Sequence, residues 1–195
     1  MEITTSLIQK LRVSTSVGMM DAKKALEKNN GDFDKAIDYL KKQGRAVAAK
    51  KQNRTTKQGA VGYYLHSNGR VGAMVALACE SDFVAKTDDF KNLAHELAMQ
   101  IAATDPAYLS PDQVPSEVIV KEKEIFKASL EREKKPAKIL DKIVEGKLQK
   151  FYAETCLLKQ QYIKDDKFTV EQLIHQAVQK FGENIQIKEF RYLSL

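Results

Sequence analysis

The sequence predicts an α+β protein, in which an N-terminal three-helix module precedes a core of helices packed on a small antiparallel sheet. Apolar residues recur every three or four positions through residues 5–40 and again after residue 88, as amphipathic helices require. Between residues 60 and 79 the apolar period changes to two, which is typical of strands. Because helices and strands are segregated along the chain, an antiparallel sheet is favoured over a parallel α/β layout.

Size and composition limit the classes of protein to consider. The chain has 195 residues, of which 43% are hydrophobic and 30% charged, as in a folded protein of at most two units. Two cysteines, Cys79 and Cys156, argue against a disulfide scaffold or a thiolate zinc site and fit a reducing cytoplasm. No signal peptide or membrane-spanning segment is expected. The net charge of +6 permits an acidic protein or a nucleic acid as partner.

Residues 1–44 are predicted to form the three-helix module. Leu7 and Leu11 share one face of the first helix, the second begins near Met19, and Gly31 ends it. Asp32 is expected to cap the third helix, and Gly44 to close it. The apolar face of that third helix comprises Phe33, Ala36, Ile37 and Leu40. So small a core predicts only marginal stability for the module alone.

Residues 45–58 are predicted to be a basic linker. The segment RAVAAKKQNRTTKQ carries five basic residues and no acidic one. A solvated connector, helical through its alanines, explains this charge run, and an RNA-contacting arm that uses Lys50, Lys51 and Arg54 is the alternative. No aromatic residue is interleaved for base stacking, so specific binding of nucleic acid is not expected.

Residues 59–195 are predicted to form the α+β core, which begins with a hairpin. Val61, Tyr63 and Leu65 alternate along the first arm, and Asn68 and Gly69 supply the turn. The second arm, VGAMVALAC, is apolar on both faces, so we expect both of its faces to be covered. After ESDFVAKTDDF, Asp88 or Asp89 is expected to cap a helix that Pro106 stops. The apolar stripe of that helix comprises Phe90, Leu93, Ala94, Leu97, Ala98 and Ile101.

The remainder of the core is predicted to be helical until its last ten residues. A charged, exposed helix opens at Ser116, and Pro136 suits the first turn of the next one. Thr169 is expected to cap a further helix, which Gly182 ends. The closing ENIQIKEFRYLSL changes parity near Glu189, which predicts a bulged third strand beside the hairpin.

Motifs of catalytic or metal chemistry are lacking, so neither an enzyme nor a cofactor is expected. The chain contains no GxxxxGK[ST], GxGxxG or HExxH. His66, His95 and His175 are isolated and are interpreted as surface or helix-face residues. The acids Glu80, Asp82, Asp88 and Asp89 could suggest a metal loop or paired catalytic carboxylates, but an EF-hand starting at Asp82 would need glycine and a carboxylate where Thr87 and Leu93 stand.

Two separated segments resemble signatures of the bacterial elongation factor Ts family. Residues 11–26, LRVSTSVGMMDAKKAL, are similar to the N-terminal signature, and residues 78–86, ACESDFVAK, to the second one. The family's Thr-Asp-Phe-Val motif is present as Ser81-Asp82-Phe83-Val84. The similarity continues through LAMQIA, KPAKILDKIVEGKLQKF and GENIQI, so it covers essentially the whole chain.

The resemblance implies a guanine-nucleotide exchange factor for GDP-bound elongation factor Tu. It implies that the N-terminal module, of the ubiquitin-associated type, docks on the partner's G domain, and that an Asp-Phe pair disturbs the partner's Mg2+ so that GDP leaves. Carried over to this chain, the partner-binding residues are Arg12, Met19, Met20, Lys23 and Gln100. The residues that dislocate the Mg2+ of the partner are Ser81, Asp82, Phe83 and Val84.

Some positions depart from the family pattern. Ala76 and Ala78 stand in place of Glu-x-Asn, Ser16 and Val17 in place of Gly-Ala, and Gln100 where a histidine often reaches toward the partner. Longer members carry a duplicated core, whereas this chain has room for one copy, as in short members that pair. The resemblance therefore implies a homodimer.

Overall fold

The α+β class predicted from the sequence is confirmed by the computed structural model, which describes residues 3–15, 17–132 and 137–195. A three-stranded antiparallel sheet consists of β1 (Gln58–Leu65), β2 (Val71–Cys79) and β5 (Gln186–Ser194) in the order β1-β2-β5. Lys188 is the extra residue of a bulge in β5, beside the predicted Glu189. Within the described ranges, no helix combines the length and apolar character that crossing a bilayer requires. The expectations for Ser16 and Pro136 lie outside the described residues.

The N-terminal module contains three helices, as predicted: α1 (Thr5–Thr15), α2 (Met19–Lys28) and α3 (Phe33–Lys51). Gly31 has a left-handed φ of 78° between α2 and α3. The Asp32 side chain accepts a hydrogen bond from the Lys35 backbone N–H and caps α3. The core of the module includes Leu11, Val17, Ala22, Ala25, Leu26, Ala36, Ile37 and Leu40.

Helix α3 continues past Gly44, so the prediction that it ends there is wrong. The helix runs to Lys51 and takes in half of the predicted linker. Gly44 is buried against a later helix, α8 (Val170–Phe181), where a Cβ would lie 3.6 Å from the His175 carbonyl oxygen. A glycine inside a helix costs only about 1 kcal/mol relative to alanine. Packing against α8 and the alanines that follow offset this cost.

One face of the sheet is buried beneath the two helices that follow β2 in the sequence, α4 (Asp82–Ala85) and α5 (Asp88–Thr104). Val75, Leu77 and Cys79 of β2 are almost fully buried there. Helix α5 approaches β1 so closely that a Cβ on Gly62 would lie 2.2 Å from the Ala94 carbonyl oxygen, which only a glycine allows. Helix α5 contributes to this core the predicted stripe Phe90, Leu93, Ala94, Leu97, Ala98 and Ile101.

The opposite face of the sheet is open, so the expectation that both faces are covered is wrong for the described part of the chain. Tyr63 pairs with Met74, and Met74 pairs with Arg191, which places their side chains on this same face. The exposed apolar side chains of the face, with their exposed fractions, are Val61 (59%), Tyr63 (69%), Leu65 (66%), Met74 (52%) and Leu193 (75%).

The second half of the core is built from α6 (Ser116–Arg132), α7 (Ala137–Thr155) and α8 (Val170–Phe181), with α6 and α7 packed on each other. Thr169 and Gln172 form a capping box at the start of α8, and Gly182 ends it with φ of 72°, both as predicted. A short hairpin, β3 (Gln161–Tyr162) and β4 (Asp165–Thr169), precedes α8. The sequence did not indicate this hairpin.

Strand β4 joins the core of the protein to the N-terminal module. Its Phe168 is only 3% exposed and belongs to the apolar cluster of the module. The Lys41 Nζ lies 4.7 Å from the centre of the Phe168 ring and donates a hydrogen bond to the Lys167 carbonyl oxygen at 2.6 Å. The core therefore supplies one of the side chains that the small module lacks.

We expect Phe168→Ala to lower the free energy of unfolding by about 3 to 5 kcal/mol, because it opens a cavity in the module core. Urea unfolding followed by circular dichroism measures the change. Phe83→Ala is the matched control, since Phe83 is 82% exposed and the same atoms are removed from solvent-facing surface. Equal stability of the two variants would contradict the packing role of Phe168.

Candidate functional site

The turn between β2 and α5 presents a large ring to solvent. Ser81 accepts a hydrogen bond from the Val84 backbone N–H on its Oγ and caps the four-residue helix α4. Ala85 faces the core, where it is 8% exposed, whereas Phe83 is 82% exposed. The Phe83 ring therefore faces solvent and does not fold back on its own hairpin.

A carboxylate accompanies this ring. Asp82 Oδ2 lies 2.6 Å from Lys86 Nζ, one helical turn later. This hydrogen bond and the charge of Lys86 lower the pKa of Asp82, so the carboxylate is ionised at neutral pH. The turn therefore displays an apolar group and a negative charge on adjacent residues.

The cap of α5 is Thr87, so the prediction of Asp88 or Asp89 as the cap is wrong. Thr87 Oγ1 accepts a hydrogen bond from the Phe90 N–H, and both acids lie in the first helical turn. At this position their negative charges interact favourably with the positive end of the helix dipole. Asp89 also pairs with Lys180 of α8 at 2.8 Å.

Two acids from outside α4 hold the turn in place. Glu183 Oε2 accepts hydrogen bonds from the backbone N–H groups of Glu80 and Ser81, each at 3.0 Å. Glu183 Oε1 accepts from Ser81 Oγ at 2.5 Å. In return, Glu80 Oε1 accepts from the Asn184 backbone N–H at 2.6 Å. The sequence offered no signal for these reciprocal hydrogen bonds, because Glu183 and Ser81 are 102 positions apart.

Apolar side chains are also exposed at the start of α2. Met19 is 44% exposed and Met20 62%, and Val13 of α1 is 77% exposed beside them. Arg12 and Lys23 are exposed as well, and Lys23 lies 3.8 Å from Glu27. The residues carried over by resemblance to the N-terminal module therefore form an accessible surface with apolar and cationic groups.

A cleft of about 680 Å³ lies between this surface and the core. Arg12 and Met19 line it from the module, and Asp89 and Lys180 line it from α5 and α8. Asp89 stands in the first turn of the helix that follows Phe83. The cleft thus lies between the first signature segment, residues 11–26, and the helix that follows the second one.

Gln100 does not belong to this surface, and the expectation that it contacts a partner does not fit its position. Its side chain has 0% exposure. Its Nε2 donates to Gln160 Oε1 at 3.2 Å and to the Gln161 carbonyl at 3.1 Å, and its Oε1 accepts from the Ile163 N–H at 2.9 Å. Gln100 therefore holds the β3–β4 hairpin on α5.

The described residues contain no group of three or more His, Cys, Asp or Glu side chains that could hold a metal ion. Burial, followed by the charge of Glu183, raises the pKa of the Cys79 thiol, which donates to the Ser81 carbonyl.

Two cations of the basic segment have intramolecular partners: Lys51 Nζ donates to the Gly182 carbonyl, and Arg54 lies 3.6 Å from Glu80. These contacts weaken the alternative of an RNA-contacting arm.

Comparison with known proteins matches the sequence model described as Elongation factor TS over residues 5–195. The chain is 50% identical to Elongation factor Ts of Syntrophus aciditrophicus over 190 residues, which cover 97% of this chain and 94% of that protein. It is 49% identical to Elongation factor Ts of Fervidobacterium nodosum, with 97% and 96% covered. It is 51% identical to Elongation factor Ts of Thermotoga sp., with 97% and 94% covered.

We expect Gln100→Met to lower the free energy of unfolding by about 1 to 3 kcal/mol, because it leaves the Ile163 N–H without its acceptor at nearly unchanged volume. Urea unfolding measures the loss. The control is Gln149→Met on α7, where the side chain is exposed and donates a hydrogen bond to Glu145, and a change of less than about 0.5 kcal/mol is expected. Wild-type stability of Gln100→Met would contradict the internal role of Gln100.

Proposed function

Because the chain belongs to the elongation factor Ts family, we propose that it acts in translation elongation as a guanine-nucleotide exchange factor for elongation factor Tu. The observation that carries this proposal is the exposed ring of Phe83 beside the ionised Asp82 on a capped turn. The Phe83 ring makes little contact inside this chain and suits insertion into another protein, with the charge of Asp82 beside it. A cytoplasmic location follows from the role.

The pair is proposed to act on the Mg2+ of the partner. Mg2+ requires nearly ideal octahedral geometry and holds the phosphate oxygens of the nucleotide by charge. A ring inserted beside that site displaces the elements that ligate the ion, and a neighbouring carboxylate adds unfavourable negative charge near the phosphates. Burial of one Phe contributes about 1.5 to 3 kcal/mol, or roughly 10- to 150-fold in an equilibrium constant.

The exposed surface of the N-terminal module is proposed to dock on the G domain of the partner. Met19 and Met20 offer adaptable apolar contacts. Arg12 and Lys23 add positive charge around them, which favours an acidic contact surface. Contacts made here increase the affinity for both states of the partner, whereas Ser81, Asp82, Phe83 and Val84 distinguish between them.

No covalent bond changes in this reaction. Whatever factor the exchange factor removes from the affinity for GDP, GDP removes from the affinity for the exchange factor, since linkage is reciprocal. The complex with elongation factor Tu is therefore transient when nucleotide returns. The chain needs no cofactor of its own for this cycle.

We propose that a second copy of the chain covers the open face of the sheet. Val61, Tyr63 and Leu65 form a contiguous exposed apolar strip, which monomeric proteins rarely leave uncovered. Glu189 and Arg191 lie on the same face and pair with each other at 3.7 Å. Across a twofold axis, the same two residues can pair with their counterparts in the other copy, as a self-complementary interface requires.

We expect the wild-type chain to accelerate the release of fluorescent GDP from purified elongation factor Tu. Phe83→Ala should lower the maximal rate by about tenfold or more, because the apolar contact is lost. Asp82→Ala should also lower it, while Asp166→Ala, which removes an exposed acid from β4, should not.

A rate of GDP release that the wild-type chain leaves unchanged would refute the exchange function. If the wild-type chain accelerates release and Phe83→Ala does so equally, the exchange function stands and the role of the ring is wrong.

We expect sedimentation at micromolar concentration to give twice the chain mass of 22.0 kDa. Tyr63→Glu should shift the protein to the monomer mass, because it buries a charge in the centre of the interface. Val120→Glu introduces the same charge at an exposed position of α6 and should stay dimeric. A wild-type mass of 22.0 kDa would refute the dimer.

A further inference from the structure

Helix α4 cannot fix the position of Phe83 by itself. It has four residues, and helices shorter than about 12 residues are marginal in water without tertiary contacts. The Phe83 ring is 82% exposed and so contributes little packing of its own. The orientation of the ring therefore depends on the contacts that hold Ser81, the residue at which the turn begins.

Glu183 provides the largest set of those contacts. It accepts hydrogen bonds from two backbone N–H groups and from the Ser81 hydroxyl, all three on the adjacent residues Glu80 and Ser81. Because Ser81 Oγ donates its hydrogen to Glu183, its lone pairs are left to accept the Val84 N–H. Glu183 thus determines the orientation in which Ser81 caps α4.

The position of Glu183 is fixed by its neighbours in the chain, Gly182 and Asn184. It follows Gly182, whose left-handed conformation ends α8, and precedes Asn184, which is 3% exposed. Asn184 Nδ2 donates to the carbonyl oxygens of Gln52 at 3.1 Å and Arg54 at 2.8 Å, just after the end of α3. The turn that carries Phe83 is therefore linked through Glu183 and Asn184 to the helix that carries the N-terminal module.

Building on the proposed exchange activity, we propose that Glu183 is a positioning residue for exchange, which acts on the partner only through Phe83. Its carboxylate keeps the α4 turn in one orientation before the partner arrives. Preorganisation of this kind avoids the ordering cost that a mobile ring would incur on insertion. The role belongs to a side chain that lies outside both signature segments of the sequence.

The test is a double-mutant cycle on GDP release from purified elongation factor Tu, with the full-length chain. Glu183→Gln keeps one acceptor oxygen and replaces the other by an NH2 group, so the side chain can no longer accept from both the Glu80 and Ser81 N–H groups and the Ser81 hydroxyl at once. We expect the maximal rate to fall about tenfold, as the loss of hydrogen bonds to a charged group implies. In the Phe83→Ala background, the same substitution should change the rate by less than about twofold.

Glu171→Gln is the matched control, because it removes one carboxylate from α8, where Glu171 pairs with Lys159 at 2.9 Å, far along the helix from the turn. With this variant, elongation factor Tu should release GDP at the rate that the wild-type chain produces. Circular dichroism and urea unfolding establish that each variant is folded. If Glu183→Gln does not fold, Ser81→Ala tests the same link, since it removes the hydroxyl that Glu183 and the Val84 N–H share, and it should also slow release about tenfold.

Wild-type rates for Glu183→Gln, or for Ser81→Ala where that variant is used, would overturn the proposal. An equal loss with and without the Phe83 ring would also overturn it, because the effect would then be a general loss of structure. Release that even the wild-type chain fails to accelerate would overturn the exchange function and this proposal together, so the two failures are distinguishable.

Discussion

The buried contact between β2 and α5 is the constraint on which the other elements depend. Val75 and Leu77 of the strand pack against Phe90 and Leu97 of the helix, and each is almost completely buried. Strand and helix lie in adjacent layers, and only residues 80–87 connect them. The connection must turn sharply, and on its short helix Ala85 faces the core while Phe83 stays in solvent.

The molecule divides its apolar residues between stability and recognition. The side chains under the sheet stabilise the fold, whereas the open sheet face, the methionines of α2 and Phe83 remain accessible. An accessible ring or strip is unfavourable in water and becomes favourable when another protein covers it. Each accessible group is held on a rigid element: the sheet face by strand pairing, Met20 by α2, and Phe83 by a capped turn.

Local signals in the sequence predicted much of this structure, and contacts between distant residues account for the errors. Asp32, Thr169 and Gly182 act within one helical turn, so their residue types alone indicated helix ends. Gly44 also resembles a helix end, but burial against α8 overrides its propensity. The position of Gln100 on α5 gives no indication of a hydrogen-bond partner in the sequence. Its burial is explained by its hydrogen bonds to Gln160 and to Ile163 of the later hairpin. The acceptor role of Glu183 could not be predicted, because sequence spacing carries no record of a contact across 102 positions.

Phe168 has a consequence for the order in which the chain folds. The ribosome completes the N-terminal helices first, but the apolar cluster that they form includes a side chain from residue 168 of 195. Contacts between such distant positions form slowly, because a long loop must close before they contribute. The module that emerges first therefore reaches its final packing late, after β4 has left the ribosome. Until then part of the apolar cluster stays in contact with water, and a chain that stops before β4 never completes the core of its N-terminal module.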